Sequence, residues 1–303
     1  MGMFQRLEFQ GQSDGPHLLI TAGVHGDEFE PMAAVRQLAK FLAQESSLFR
    51  GRVTLVPCVN EEAFLLGARC ASDGLDLART CPGNAQGSVT EQLAAGISEL
   101  ISAADYYIDL HTGGTELSIY PLAGYVLHSD KSVLEKQREM AQAFNLNVSW
   151  GTSPELQGRT LSVARDANVP AIYAEYFGAA TCSKEGTDAY VDGCLNVMGA
   201  LNMIERTSPP SRIEYVVEDT RPDSGHLQIC NPSPVDGYFE TAVGLGEKVS
   251  KGDLLGTVFC LKDHNPYPIK SDQNGIVLTL RTFPRVLAGQ SVAVILESGE
   301  KVS

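Results

Sequence analysis

Apolar positions in the first two thirds of the chain follow two alternating rhythms. Residues 17–24 (His17-Leu-Leu-Ile-Thr-Ala-Gly-Val24) form a nearly continuous apolar run, the pattern of a strand covered on both faces. A helical period follows over 30–44, and a second strand is expected at 52–59. A helix over 90–102 leads into a strand at 106–110. Residues 129–144 read as a helix capped by Ser129 or Asp130. A short buried strand is expected at 171–174, and a last helix at 187–206. Strands alternating with helices imply an α/β fold, a largely parallel sheet with helices on both faces.

The rhythm changes at Thr207-Ser-Pro-Pro-Ser211, where two prolines cannot continue a helix. This sets the expected boundary between a catalytic domain, 1–207, and a β-rich domain, 208–303. Beyond the boundary, short strands are separated by Gly, Asp and Pro turns. Two segments, 236–256 and 274–292, each run turn, strand, V-x-x-G turn, strand. That duplication resembles the lipoyl/biotinyl-type β-sandwich. A carrier of this type exposes a lysine on the hairpin joining its halves, expected near 264–268. No lysine stands there, and Lys262 and Lys270 lack the carrier's flanking residues, so a fold without a swinging cofactor is expected.

Length and an apolar content of 43% allow a sizeable core. A net charge of -14 argues against nucleic-acid and anionic-membrane partners, though a few converging arginines can reverse the field inside one pocket. The seven cysteines are scattered, with no C-x-x-C pair, and read as reduced thiols of a cytoplasmic protein. The N-terminal stretch lacks the pattern of a secretory signal, and no apolar run reaches the length of a membrane span. Sheet edges and the β-rich surface leave room for a homo-oligomer.

Three of the apolar strands end in residues a core has no use for. These are His25-Gly-Asp-Glu28, Asp109-Leu-His111 and Ala174-Glu175. In open α/β sheets, ligands sit outside the carboxyl ends of the strands. Each residue alone has an ordinary reading: a hydrogen-bonded histidine, or a glutamate favoured by a helix N-terminus. Together, His25, Glu28 and His111 supply the His₂Glu set of a catalytic zinc site with an open fourth position. His17, His128, His226 and His264 sit in no comparable context.

Thr21-Ala-Gly-Val-His-Gly-Asp-Glu28, Asp109-Leu-His111 and Glu175 resemble the succinylglutamate desuccinylase/aspartoacylase family of the zinc carboxypeptidase clan. So do Asn60-Glu-Glu-Ala-Phe64 through Arg69, and Asp73-Gly-Leu-Asp-Leu-Ala-Arg-Thr-Cys-Pro-Gly83. The resemblance implies one Zn²⁺ per chain on His25, Glu28 and His111, activating water. It implies Glu175 as general base, Arg69 at the oxyanion and Arg79 on a substrate carboxylate. Arg159 is a further substrate-binding candidate, or a solvated loop arginine. Asp109, on the same strand face as His111, is expected to orient a metal-bound imidazole, that of His25, or else to be a buried turn or cap partner.

The implied reaction is hydrolysis of a small N-acyl amino acid or related amide, the partner being a small acylated amine. A carboxypeptidase acting on short peptides, ester hydrolysis and a non-catalytic ligand-binding homologue remain as alternatives. Two departures bear on this. Ala78 stands where the family motif has Asn, and Asn60-Glu61 where it has Asn-Pro. The metal and base set is intact while the substrate set is altered.

Overall fold

The computed structural model describes residues 3–45, 49–222, 224–225, 230–297 and 301; His226 lies outside them. The strands of the first part are β1 (Leu7–Gln10), β2 (Ser13–Thr21), β3 (Arg50–Val56), β4 (Tyr106–His111), β5 (Leu117–Val126), β6 (Val148–Thr152), β7 (Ala171–Gly178) and β8 (Tyr215–Glu218). The helices are α1 (Phe29–Gln44), α2 (Glu61–Leu66), α3 (Val89–Ser102), α4 (Lys131–Phe144), α5 (Thr160–Asp166) and α6 (Lys184–Ala200).

Strands β3, β2, β4 and β7 lie side by side and parallel, with β1 antiparallel on the outer edge of β3. Side-chain alternation along these strands sorts the core into two layers. Leu18, Ile20, Ile108, Leu110, Ile172 and Ala174 pack against α1, α4 and α6. Leu19, Tyr107 and Ala171 pack on the opposite face, against α3 and α5. The helix starts are written locally. Ser88 and Glu91 form a capping box at α3, and Asp130, one of the two expected caps, accepts from Ser132 and Val133 N–H at α4.

Beyond β7 the sheet turns antiparallel and branches. β5 runs antiparallel to β7; its later residues pair in parallel with β6, which pairs with β8. The C-terminal strands are β9 (Gly237–Thr241), β10 (Lys248–Val249), β11 (Leu254–Cys260), β12 (Pro266–Lys270), β13 (Gly275–Arg281), β14 (Arg285–Val286) and β15 (Ala293–Leu296). β12, β11, β9 and β14 form a separate four-stranded sheet.

The expected duplication has a structural counterpart in which the halves exchange strands. β14 of the second half pairs with β9 of the first, and β10 of the first pairs with β13 of the second. Each half's Asp/Asn-Gly turn grips the other: Asp236 accepts from Ala288 N–H and Asn274 from Lys251 N–H, at 2.9 and 2.8 Å.

The main sheet does not stop at the 207/208 joint. β8 lies beyond it, and β13 pairs with the first residues of β5, Thr279 opposite Ile119. One face of β13 joins the sandwich core with Val277 and Leu280; the other packs Ile276 and Leu278 against Leu122, Trp150 and Tyr215. The buried Arg281 guanidinium donates to Glu116 at 3.0 Å, while the N–H groups of Thr282 and Phe283 donate to the Glu116 carbonyl. The β-rich part thereby braces the loop between β4 and β5.

Candidate active site

The carboxyl ends of β2, β4 and β7 bring the expected residues together. Register places Thr21 beside Asp109, Asp109 beside Tyr173, and His111 beside Glu175. Alternation turns Tyr107, Asp109 and His111, and likewise Ala171, Tyr173 and Glu175, toward the α3/α5 side of the sheet. The site occupies that side.

His25 and Glu28 sit on the tight loop from β2 into α1. Gly26 has to be glycine, because a Cβ there would lie 2.0 Å from the Ala63 carbonyl carbon of α2. Asn60 fastens the same junction, donating from its backbone to Gly23 and capping α2 through Ala63 N–H. Glu61 is then the first residue of α2, the position where proline is also accepted, so the Asn-Glu departure leaves the turn intact. Glu28 occupies the N-cap position of α1, yet its side chain caps nothing. It turns inward instead. His25 Nδ1 lies 2.7 Å from one carboxylate oxygen and His111 Nδ1 3.0 Å from the other.

The far nitrogens of both imidazoles meet carboxylates. His111 Nε2 is 3.0 Å from Asp109 Oδ2, and His25 Nε2 is 3.2 Å from Asp76 Oδ1. This corrects the sequence expectation. Asp109 orients His111, two residues along its own strand, and Asp76 is the partner of His25. Asp109 is fully buried and also accepts from Thr21 and Thr160. Asp76 also accepts from Arg69 Nε and Nη2, at 3.1 and 3.0 Å, and from Ala78 N–H. Asp73 ties the same loop to the start of α3 through Thr90.

Charge balance follows from these contacts. Burial pushes the Glu28 carboxyl up, but the two imidazoles outweigh it and hold it at about 2. Burial works against a charged His111, while Asp109 and Glu28 together raise it well above the usual histidine range. His25, Glu28 and His111 offer ligand atoms all within 4.8 Å of one another, and all three are buried. A buried carboxylate between two imidazoles, each backed by a further carboxylate, fits a divalent cation taking the place of the shared protons.

Glu175 stands across from this trio on β7. Burial raises its carboxyl to about 8, with His111 opposing the shift and Glu28 adding to it. Its Oε2 is buried without a hydrogen-bond partner among the described residues. The surrounding cleft, about 780 Å³ with its open mouth included, is lined by Arg69, Arg79 and Arg159 as well as the trio and Glu175. Arg159 is therefore a cleft residue rather than a solvated one; its guanidinium donates to the Gly225 carbonyl at 3.2 Å. Burial and the adjacent Arg79 bring Arg159 down to about 10. Burial also lowers Arg79, Asp76 opposing and Arg69 adding to that shift.

Asp76 and Tyr173 escape the sequence reading. Asp76 lies inside the Asp73–Arg79 motif, which was its available signal. Tyr173 precedes Glu175 by two on a strand, the same relation that singled out Asp109 before His111. Its ring lies over Gly124 of β5, where a Cβ would come within 2.2 Å of the ring.

A family model of the succinylglutamate desuccinylase/aspartoacylase catalytic domain matches residues 14–201. The N-alpha-acetyl-L-2,4-diaminobutyric acid deacetylase of Halomonas elongata is 29% identical over 307 residues, covering 96% of this chain and 85% of its own. A succinylglutamate desuccinylase/aspartoacylase from Rhodobacter sphaeroides matches with a TM-score of 0.85 at 26% identity, covering 97% of this chain and 89% of that one. The product-bound ectoine utilization protein EutE (DoeB) from Ruegeria pomeroyi matches at 0.84 and 27% identity, covering 96% and 87%.

Proposed function

The chain belongs to the succinylglutamate desuccinylase/aspartoacylase family, and on that premise we propose that it is a zinc-dependent deacylase of small N-acyl amino acids. The observation that carries this reading is the pairing of His111 with Glu175 across β4 and β7, which sets an unpartnered buried carboxylate beside a buried His₂Glu trio. The name of the Halomonas relative makes N-acetyl groups the first acyl groups to test.

Zn²⁺ held by His25, Glu28 and His111 supplies a lowered pKa for water and polarisation of a carbonyl. Glu175 takes up a proton in the buried pocket and returns it to the departing amine, so amide and water give carboxylate and free amine. Asp76 holds Arg69 by Nε and Nη2, and the remaining terminal nitrogen is the donor we assign to the developing oxyanion. Arg79 and Arg159 receive the substrate carboxylate. A carboxypeptidase would use the same groups; Gly225, from the chain beyond α6, closes on the cleft and supports the smaller substrate.

No helix among the described residues is long and apolar enough to cross a membrane. No disulfide joins the cysteines among the described residues, which supports assignment to the reducing cytoplasm.

The test is release of free amine from a panel of N-acetyl and N-succinyl amino acids, before and after chelation. Activity lost on chelation and restored by zinc supports the reading; no hydrolysis of any amide, with zinc bound, refutes it. Asp109→Asn keeps the shape of the side chain but weakens its hold on His111. It is expected to lower zinc affinity about 10- to 100-fold, measured by competition with a chromogenic chelator.

A further inference from the structure

Building on the deacylase reading, we infer that the substrate carries a single carboxylate and that its remaining arm is uncharged and apolar. Among the described residues, the charged side chains that line the cleft can be taken in turn. The acids among the described lining residues are Glu28, Asp109 and Glu175. Glu28 is engaged by both histidines, and Asp109 by Thr21, Thr160 and His111. Glu175 is the base. An ammonium-bearing arm would have to pair with Glu175 and so remove the proton acceptor from the reaction.

A second carboxylate fares no better. Arg69 is committed to Asp76 through two nitrogens. Arg79 and Arg159 both line the cleft, and Arg79 is near enough to lower Arg159, so the two guanidinium groups can close on one anion. The threonine hydroxyls are also engaged. Thr160 donates to Asp109, Thr152 donates to the Tyr125 carbonyl, and Thr112 accepts from Gly114 N–H.

What is left of the described lining is mostly hydrocarbon. Ala78, Leu117, Ile119, Val126, Leu161 and the Tyr173 ring make up the rest of the wall, and the Tyr173 hydroxyl, beside Gly124, is the polar atom it carries. Ala78 is the position where the family motif has asparagine, so the departure and the wall agree. Gly124 lets the Tyr173 ring lie flat against β5, giving an aromatic floor between strands β5 and β7. Burying a polar arm against such a wall leaves its hydrogen bonds unmade.

The test uses the zinc-loaded full-length protein and measures kcat/KM. Substrates are the N-acetyl derivatives of glycine, alanine, norvaline, norleucine, phenylalanine and aspartate, with Nα-acetyl-2,4-diaminobutyrate. The expected result is a rise of roughly fourfold per added methylene, with the aspartate and diaminobutyrate derivatives at least about tenfold below norvaline. Ala78→Asn, which puts an amide into the wall, is expected to shrink the norleucine-to-aspartate ratio several-fold. Preference for either charged arm, or a flat series, overturns the inference while leaving the deacylase reading intact. Absence of turnover on every amide refutes the deacylase reading itself. Binding then decides this inference separately: in calorimetry on Glu175→Gln, N-acetylnorleucine should bind at least about tenfold tighter than N-acetylaspartate, and the reverse order overturns it.

Discussion

Glu175→Gln is expected to lower kcat by about 10³-fold while zinc content stays at about one per chain. Glutamine copies the shape of the side chain, so the β4–β7 register and the packing of β7 survive. What disappears is the capacity to hold a proton. Glu175 Oε2 has no partner among the described residues to lose, so the change acts on the reaction more than on the fold. Burial has raised the carboxyl to about 8, the direction that favours taking up a proton. Elemental analysis beside steady-state kinetics separates the two effects. A kcat within a few-fold of wild type would remove Glu175 from the mechanism, and loss of zinc would make it a ligand instead.

His111→Ala is expected to abolish both zinc binding and activity, and to destabilise the metal-free protein by about 3–5 kcal/mol. The imidazole lies between Glu28 and Asp109, 3.0 Å from each. Removing it leaves Glu28 with only His25, and Asp109 with only the Thr21 and Thr160 hydroxyls, to balance their buried charge. The main chain at this point is fixed separately, since the Tyr190 hydroxyl donates to the His111 carbonyl. The backbone therefore has little freedom to collapse into the space. Zinc titration and thermal unfolding of chelated protein measure the two parts. Wild-type zinc affinity in the variant would refute the metal assignment.

The residues we assign to the metal and to the base were legible because each breaks the pattern of its own strand. An apolar run predicts another apolar residue, and a histidine or glutamate at its carboxyl end stands out. Helices α1, α3, α4 and α6 were legible from their apolar period, with local caps at α3 and α4, whereas the short α2 and α5 are missing from the sequence reading. Strands β5 and β6 are missing from the sequence reading. β5 contains Pro121 and Gly124, both of which read as interruptions. In the fold, Pro121 falls at the irregularity between Ile119 and Leu122, and Gly124 is where Tyr173 needs room. The interruptions are adaptations to neighbours that only the folded chain supplies.

Asp109 shows the same limit at the scale of one residue. Alternation fixed its face and identified it as a carboxylate able to orient an imidazole. It could not say which imidazole, because His25 arrives from a loop whose path is set by α2 and Asn60. Asp76 was hidden likewise: its contact with His25 spans 51 positions and depends on how the 69–79 loop folds back.

The brace between Arg281 and Glu116 has a consequence in the order of synthesis. The two residues are 165 positions apart. His25, Glu28, His111 and Glu175 all leave the ribosome well before β13 does. Until residue 281 has emerged, the first residues of β5 lack their β13 neighbour and the loop beside His111 lacks its support. On our assignment, the chain thus holds the proposed metal ligands and base before it can complete the wall proposed to select what they act on.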